Sequence, residues 1–127
     1  MFSHIMVGSN DLERSRKFYD AIFAAMEAGP GQFDAKGRLV YAKDGRSLMI
    51  TNPINGQAAS FANGGTIGLL MTGPEQVEAW HAAGVANGGT TDEDPPGVRD
   101  FGARKLFLAY LRDPDGNKLC ALYRVAS

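Results

Sequence analysis

The first 28 residues carry two different periodicities of apolar and polar side chains. Residues 2–7 alternate with a period of two, with His4 and Met6 on one face, and this alternation predicts a strand. A polar cluster at residues 9–11 then offers N-cap side chains. Apolar residues recur after it at helical spacing, at Leu12, Phe18, Ile22, Phe23 and Met26. This spacing predicts an amphipathic helix up to about residue 28.

Three short strands are predicted after this helix, which stops at Gly29-Pro30-Gly31. Their positions are near residues 32–34, 38–42 and 47–51. The last two are joined by Lys43-Asp44-Gly45-Arg46, and Asp-Gly is a strong signal for a two-residue hairpin turn. The first part of the chain is therefore predicted to be a strand, a helix and three strands.

The same order is predicted again after a polar, glycine-containing connector at about residues 53–65. Its elements are a strand at 66–71, a helix at 75–87 preceded by Pro74, a strand near 90–92, a long loop with Pro95, Pro96, Gly97 and Gly102, and strands at 105–112 and 118–125. Proline at a first helical position supports the helix. The repeat predicts an α+β fold of two βαβββ modules in one domain, at about 1–52 and 66–127.

The composition fits one globular unit and argues against several kinds of partner. The chain has 127 residues, of which 44% are hydrophobic, enough to bury a core. Its 13 basic and 14 acidic residues are spread along the chain, so we expect no nucleic-acid and no membrane partner. We expect a cytoplasmic protein, because the chain has a single cysteine, no apolar run that could span a bilayer and no N-terminal signal pattern.

The two ends of the chain resemble the opening and closing segments of one protein family. The head is HIMVGSNDLERSRKFYDAIF, from His4 to Phe23, and the tail is LRDPDGNKLCALYR, from Leu111 to Arg124. With the repeated element order, they resemble the vicinal oxygen chelate (glyoxalase/bleomycin resistance protein/dioxygenase) superfamily over nearly the whole chain. The resemblance implies that two mixed sheets curl into a cup for a metal and a substrate. It also implies a homodimer.

The resemblance further implies four metal-ligand positions, on the first and last strand of each module. Family members usually carry His or Gln on the first strands and Glu on the last strands, and such ligands hold divalent metals. In this sequence the positions fall on His4, Met49, Ile67 and Cys120. His4 fits, and with Cys120 it could hold a softer ion such as zinc, but two ligands are normally too few. We therefore expect no resident metal and no other cofactor.

Three polar residues allow both a functional and a purely structural interpretation. Tyr110 lies three residues before Asp113, where antibiotic-modifying members place a tyrosine against the substrate, although cross-strand packing explains it equally well. Arg104 lies in the long loop, which either grips an anionic ligand or is simply solvated. Cys120 is either a nucleophile with His4 as its base or a buried small side chain, and a lone thiol is more often the second.

These residues support three competing functions. The first is a metal-free cup that binds a small, partly apolar molecule, with an anionic group facing Arg104. Its predicted contact residues are His4, Met49, Ile67, Arg104, Tyr110 and Cys120. The second is a metal-dependent lyase or transferase that uses His4. The third is a non-catalytic interaction module whose pocket is filled by its own side chains.

Overall fold

The computed structural model describes residues 1–125 and contains eight strands and two helices in that range. In chain order they are β1 (His4–Gly8), α1 (Leu12–Ala25), β2 (Gln32–Phe33), β3 (Leu39–Lys43), β4 (Arg46–Thr51), β5 (Ile67–Leu70), α2 (Pro74–Ala86), β6 (Thr90–Asp100), β7 (Lys105–Arg112) and β8 (Lys118–Arg124). This order confirms the predicted repeat of a strand, a helix and three strands.

The strands form two four-stranded mixed sheets with the same topology. The first, which we call the N-sheet, has the order β1-β4-β3-β2, and the second, the C-sheet, has the order β5-β8-β7-β6. In each sheet the first and last strands of the module pair in parallel, and the remaining pairs are antiparallel. Neither sheet closes into a barrel, and the architecture is the predicted α+β fold of two modules.

The two helices begin in different ways. The Asp11 side chain caps α1 by accepting a hydrogen bond from the Arg14 backbone N–H at 3.1 Å. Helix α2 has no side-chain cap and begins with Pro74, whose missing N–H would have no helical partner at that position. Helix α1 ends earlier than predicted, because Glu27 adopts a left-handed conformation with φ of 61°. Neither helix of residues 1–125 has the length and apolar character needed to cross a bilayer.

One core lies where both helices pack against the sheets. Phe18 and Tyr19 from α1 and Trp80 from α2 have no exposed surface, and each such burial contributes about 1.5–3 kcal/mol. Helix α2 packs closely at Gly84, where an added methyl carbon would lie 2.3 Å from Leu111 Cδ1 of β7 and 3.2 Å from Phe18 Cε1 of α1. The glycine therefore allows the two modules to share one core.

The turn between β7 and β8 ties the second module to the first helix. Asp113 Oδ2 accepts hydrogen bonds from the Tyr19 hydroxyl at 2.6 Å and from Asn117 Nδ2 at 2.8 Å. Asp115 lies 2.9 Å from the Arg14 guanidinium, although only 1% of the Asp115 side chain is exposed. The Asp-Pro-Asp-Gly turn of the second module thus binds helix α1 of the first module and stabilises the contact between them.

The prediction of a long loop after residue 92 is wrong. Strand β6 continues through Pro95 and Pro96 to Asp100, with a shift in its pairing to β7 between Asp92 and Gly97. The prolines are tolerated because β6 is an edge strand. On its outer side no neighbouring strand requires the N–H groups that proline lacks. The bulge accommodates the residues that sequence reasoning assigned to a loop.

Candidate binding faces of the two sheets

Each sheet has a face covered by the helices and a face turned away from them, which we call its open face. In the N-sheet, Ile5, Leu48 and Ile50 belong to the core on the helix side, so the alternate residues point the other way. The open face of the N-sheet carries His4, Met6, Val40, Ser47 and Met49. Met6 is 39% exposed, and this apolar face is therefore poorly covered by the chain itself.

The open face of the C-sheet is apolar as well, but its centre is already buried. Leu106, Leu108 and Cys120 form a second cluster separate from the main core, with Tyr110 and Leu122 packed against it. Leu108 retains 3% and Cys120 7% of its surface. This cluster makes a rigid apolar wall with one aromatic hydroxyl and one thiol in it.

Tyr110 and Cys120 are direct cross-strand neighbours on this wall. The Lys118 ammonium lies 4.9 Å from the centroid of the Tyr110 ring, a cation–π distance. Burial, followed by the proximity of Cys120, raises the pKa of Tyr110 to about 12, so the hydroxyl stays protonated at neutral pH and can donate a hydrogen bond. Burial also raises the pKa of the Cys120 thiol, which is the opposite of what a nucleophilic thiolate needs.

His4 and Cys120 make their hydrogen bonds with different groups. His4 is exposed at the start of β1, and its Nδ1 lies 2.8 Å from Ser3 Oγ. The Cys120 thiol donates to the Ala121 carbonyl at 3.6 Å. No hydrogen bond joins His4 to Cys120 anywhere in residues 1–125. The structure therefore does not supply the base that a His4–Cys120 dyad would require.

The register of β5 corrects one predicted wall position. Ile67 pairs with Leu119, and both side chains pack into the core on the helix side. Gly68 is the residue that pairs with Cys120, and no atom lies within 4 Å of its Cβ position. The prediction that Ile67 lines the cup beside Cys120 is therefore wrong by one residue. Counting back from α2 misplaced the position, because a shift of one residue turns a strand side chain to the other face.

The other two predicted contact residues belong to different modules. Met49 is half-buried on the open face of the N-sheet, paired with Met6 of β1. Arg104 is exposed in the turn between β6 and β7, where its carbonyl accepts a hydrogen bond from the Phe101 N–H at 2.8 Å. Arg99 instead holds the β6 bulge together, because its guanidinium donates to the carbonyls of Asp94, Pro95 and Gly97.

One end of the C-sheet open face is charged. Arg112 Nε donates to Asp92 Oδ2 at 2.7 Å, and this hydrogen bond holds the pKa of the Asp92 carboxyl below its usual range. The Arg112 guanidinium also lies 5.3 Å from the centroid of the Phe61 ring. Lys118 pairs with Glu93 close by. The connector between the modules thus contributes an aromatic side chain to a charged rim.

The side chains at the implied ligand positions do not fit a hard divalent cation. On the open faces, β1 offers the His4 imidazole, β4 the Met49 thioether, β5 the hydrogen of Gly68 and β8 the Cys120 thiol. Neither last strand provides the carboxylate that such a site needs. Among residues 1–125, no group of three or more His, Cys, Asp or Glu side chains could share a metal ion.

The sequence and the fold now allow a family assignment. The family model described as Glyoxalase/Bleomycin resistance protein/Dioxygenase superfamily matches residues 1–121. The chain belongs to this superfamily. It is 58% identical to a glyoxalase/bleomycin resistance protein from Albidiferax ferrireducens, whose crystal structure aligns with a TM-score of 0.93 over 98% of this chain and 99% of that chain. The superfamily fold therefore extends over nearly all of this chain.

Other superfamily structures are similar at much lower sequence identity. A glyoxalase-related enzyme from Fulvimarina pelagi is 20% identical, with a TM-score of 0.71 over 96% of this chain and 86% of that chain. A lactoylglutathione lyase from Agrobacterium tumefaciens is 16% identical, with a TM-score of 0.66 over 96% of this chain and 92% of that chain. Likeness at these identities shows the fold alone. No curated protein matches the chain.

Sequence reasoning missed several residues of the open faces. Leu106 and Leu108 carried a readable signal, because they alternate with Tyr110 along KLFLAYLR and so share one strand face. Gly68 carried no local signal. Its position opposite Cys120 depends on pairing between β5 and β8, which are far apart in the sequence.

Proposed function

We propose that this protein binds a small, partly apolar organic molecule on its open faces without a resident metal. The observation that carries the proposal is the buried apolar wall of the C-sheet, in which Tyr110 presents a protonated hydroxyl beside Cys120. Small-molecule sites are typically apolar with a few placed polar groups. The absence of carboxylates at the implied ligand positions favours binding over metal-dependent chemistry.

The proposed contacts come from both sheets. Tyr110 donates a hydrogen bond to the ligand, and Cys120 provides apolar surface beside it. His4 and Met49 contribute from the N-sheet, where His4 is the main polar side chain. Arg104 lies in an exposed turn and supplies a positive charge for an anionic group of the ligand. Ile67 has no part in this site, because it packs into the helix-side core.

A metal-dependent lyase or transferase remains the second candidate. It is favoured by one observation, the exposed imidazole of His4 on the first strand, where family members carry a ligand. Two further donors would have to come from outside the implied positions. Metal content distinguishes the two candidates, since binding on the apolar wall requires none.

We also propose that the protein is a homodimer and that it resides in the cytoplasm. The N-sheet open face is apolar and uncovered, with Met6 39% exposed, and four strands of the two sheets have a free edge. Pairing with a second copy would cover such surfaces. Light scattering at micromolar concentration should give the mass of two chains. A monomer mass would contradict the proposed dimer.

The binding proposal is tested by a thermal-shift screen of metabolites and antibiotics, followed by calorimetry in the presence of EDTA. Tyr110→Phe should weaken binding of a true ligand by about 0.5–1.5 kcal/mol, the typical net value of one hydrogen bond. Tyr123→Phe is the matched control, because Tyr123 lies in the same sheet but packs on the helix side. Ligands that bind both variants as tightly as the parent would show that the site lies elsewhere.

A further inference from the structure

A second pocket opens where the edges of the two sheets meet, and we call it the seam pocket. It has a volume of about 330 Å³ and lies between strands β1 and β4 of the N-sheet and β5 of the C-sheet, beside the end of α1. Its apolar lining comes from Ile5, Phe23, Met26, Leu48, Ile67 and Leu69. His4 also lines it, so it adjoins the binding site proposed above, but Tyr110, Cys120 and Met49 do not line it.

The seam pocket carries apolar side chains that the chain leaves in solvent. Phe2 is 62% exposed and Leu70 is 64% exposed, and both line it. Large apolar side chains grouped at a concave site mark a surface that a ligand or partner covers. Its volume falls at the lower end of the range of small-molecule pockets, which is roughly 300–1,000 Å³. A compact apolar chain therefore suits it better than a large ring system.

The charged side chains of the seam pocket are predominantly positive. Lys43 and Arg46 line it together with a single carboxylate, that of Asp44. This carboxylate is weakly engaged, because the Lys43 ammonium is 4.0 Å from it and 84% of the Asp44 side chain is exposed. Arg46 donates to the Asp44 carbonyl at 3.1 Å rather than to its carboxylate. Both cations therefore retain donors for an anionic group.

We propose that the seam pocket binds the anion of a medium-chain carboxylic acid. The alkyl chain would lie between Ile5 and Ile67, where it would replace water against apolar walls. The carboxylate would face Lys43 and Arg46. This occupant matches both properties of the pocket, its apolar lining and its positive charge.

The test is isothermal titration calorimetry of octanoate against the full-length protein, with octanol as a ligand of similar apolar chain but no charge. Octanoate should bind saturably and more tightly than octanol, and its affinity should fall as salt rises, because exposed charges are screened. Arg46→Glu should weaken octanoate binding roughly tenfold, since it reverses one nearby charge. The same variant should leave octanol affinity nearly unchanged. Lys36→Glu, an exposed charge reversal outside the pocket, is the matched control.

A second variant tests the apolar part of the pocket. Leu70→Asp should weaken both octanoate and octanol, because it places a charge against the alkyl chain. Folding is not at risk, since Leu70 is exposed. Val98→Asp is its control, because Val98 is 55% exposed and lies outside the pocket.

Three outcomes would overturn the proposal. The first is the absence of saturable octanoate binding at millimolar concentration. The second is octanoate binding that neither Arg46→Glu nor Leu70→Asp weakens relative to its control. The third is a Leu70→Asp protein that changes from dimer to monomer while octanoate affinity stays constant, which would assign this surface to a second copy of the chain.

Discussion

The two sheets have the same topology, but their open faces differ in how deeply their side chains are buried. On the N-sheet, His4 and Met6 are exposed, and the edge strand β2 has only two residues. On the C-sheet, Leu106 and Leu108 are buried, and the edge strand β6 has eleven residues and a bulge. A longer edge strand extends the sheet and allows it to curl. The C-sheet therefore presents a preformed apolar wall, whereas the N-sheet presents a face that is partly exposed.

This difference in burial suits the side chains found at the implied ligand positions. Cys120 lies within the buried wall, where an unpaired carboxylate would be costly to desolvate. A thiol that behaves as a small apolar side chain suits that environment. His4 lies on the exposed face, where an imidazole costs little. The chemistry of each position thus follows from the burial of the face on which it lies.

The largest expected effect comes from placing a charge on each open face in turn. Leu108→Lys should destabilise the protein by about 3 kcal/mol or more, because it buries an unpaired ammonium in the C-sheet wall. Met6→Lys on the N-sheet should cost less than about 1 kcal/mol in the monomer. Urea unfolding at low protein concentration measures both. Equal losses would remove the contrast between the faces.

The second comparison concerns two turns that each contain a hydrogen-bonded aspartate. Asp113→Ala should cost about 2–4 kcal/mol, because it leaves the buried Tyr19 hydroxyl and Asn117 amide without their acceptor. Asp100→Ala should cost about 1 kcal/mol or less, because Asp100 accepts from the Gly102 N–H in an exposed turn. Denaturant midpoints for both variants check this. A loss for Asp113→Ala no larger than that for Asp100→Ala would show that the modules are not held together by this turn.

The third comparison concerns two glycines. Gly84→Val should cost about 1–3 kcal/mol, because its side chain would press into Leu111 and Phe18 at the contact between the helices. Gly68→Val should be nearly neutral in stability, because its Cβ would meet open space on β5. Thermal unfolding of the two variants separates the positions. If Gly84→Val caused no loss of stability, the shared core would have to rearrange to accommodate the larger side chain.

The smallest expected effect is a dependence on alkaline pH. Burial, and then Asp113, raise the pKa of Tyr19 well above its usual value, so the folded state favours the protonated phenol. The resulting stability is fully present below about pH 10 and is lost as the pH rises from there towards the folded-state pKa. One such group lowers the free energy of unfolding by at most about 1.4 kcal/mol for each pH unit. Tyr19→Phe should abolish this part of the pH dependence. Urea titrations between neutral and alkaline pH give the slope, and an unchanged slope in the variant would contradict the assignment.

Local signals predicted most of the fold. Asp44-Gly45 forms the expected turn between β3 and β4, and Pro74 begins α2 as expected. The errors arose where distant residues decide the conformation. Pro95 and Pro96 suggest a loop in the sequence. They are compatible with a strand because β6 lies at the edge of its sheet, with β7 on one side.

The site was less predictable than the fold, for the same physical reason. The open-face positions of Tyr110 and Cys120 follow from strand alternation once β7 and β8 pair. That Gly68 and not Ile67 faces the same side as Cys120 depends on the register between β5 and β8, which no local pattern encodes. The seam pocket lies between elements of both modules and has no sequence signature at all.

Metal content is the most direct test of the proposal that this superfamily member binds its ligand without a metal. Protein purified without chelators or metal-affinity resin should contain well under one equivalent of any transition metal, because an incomplete ligand shell binds weakly. EDTA should leave the thermal stability of the parent and of His4→Ala equally unchanged. Near-stoichiometric zinc, nickel, manganese or iron in the parent, lost in His4→Ala, would contradict the account.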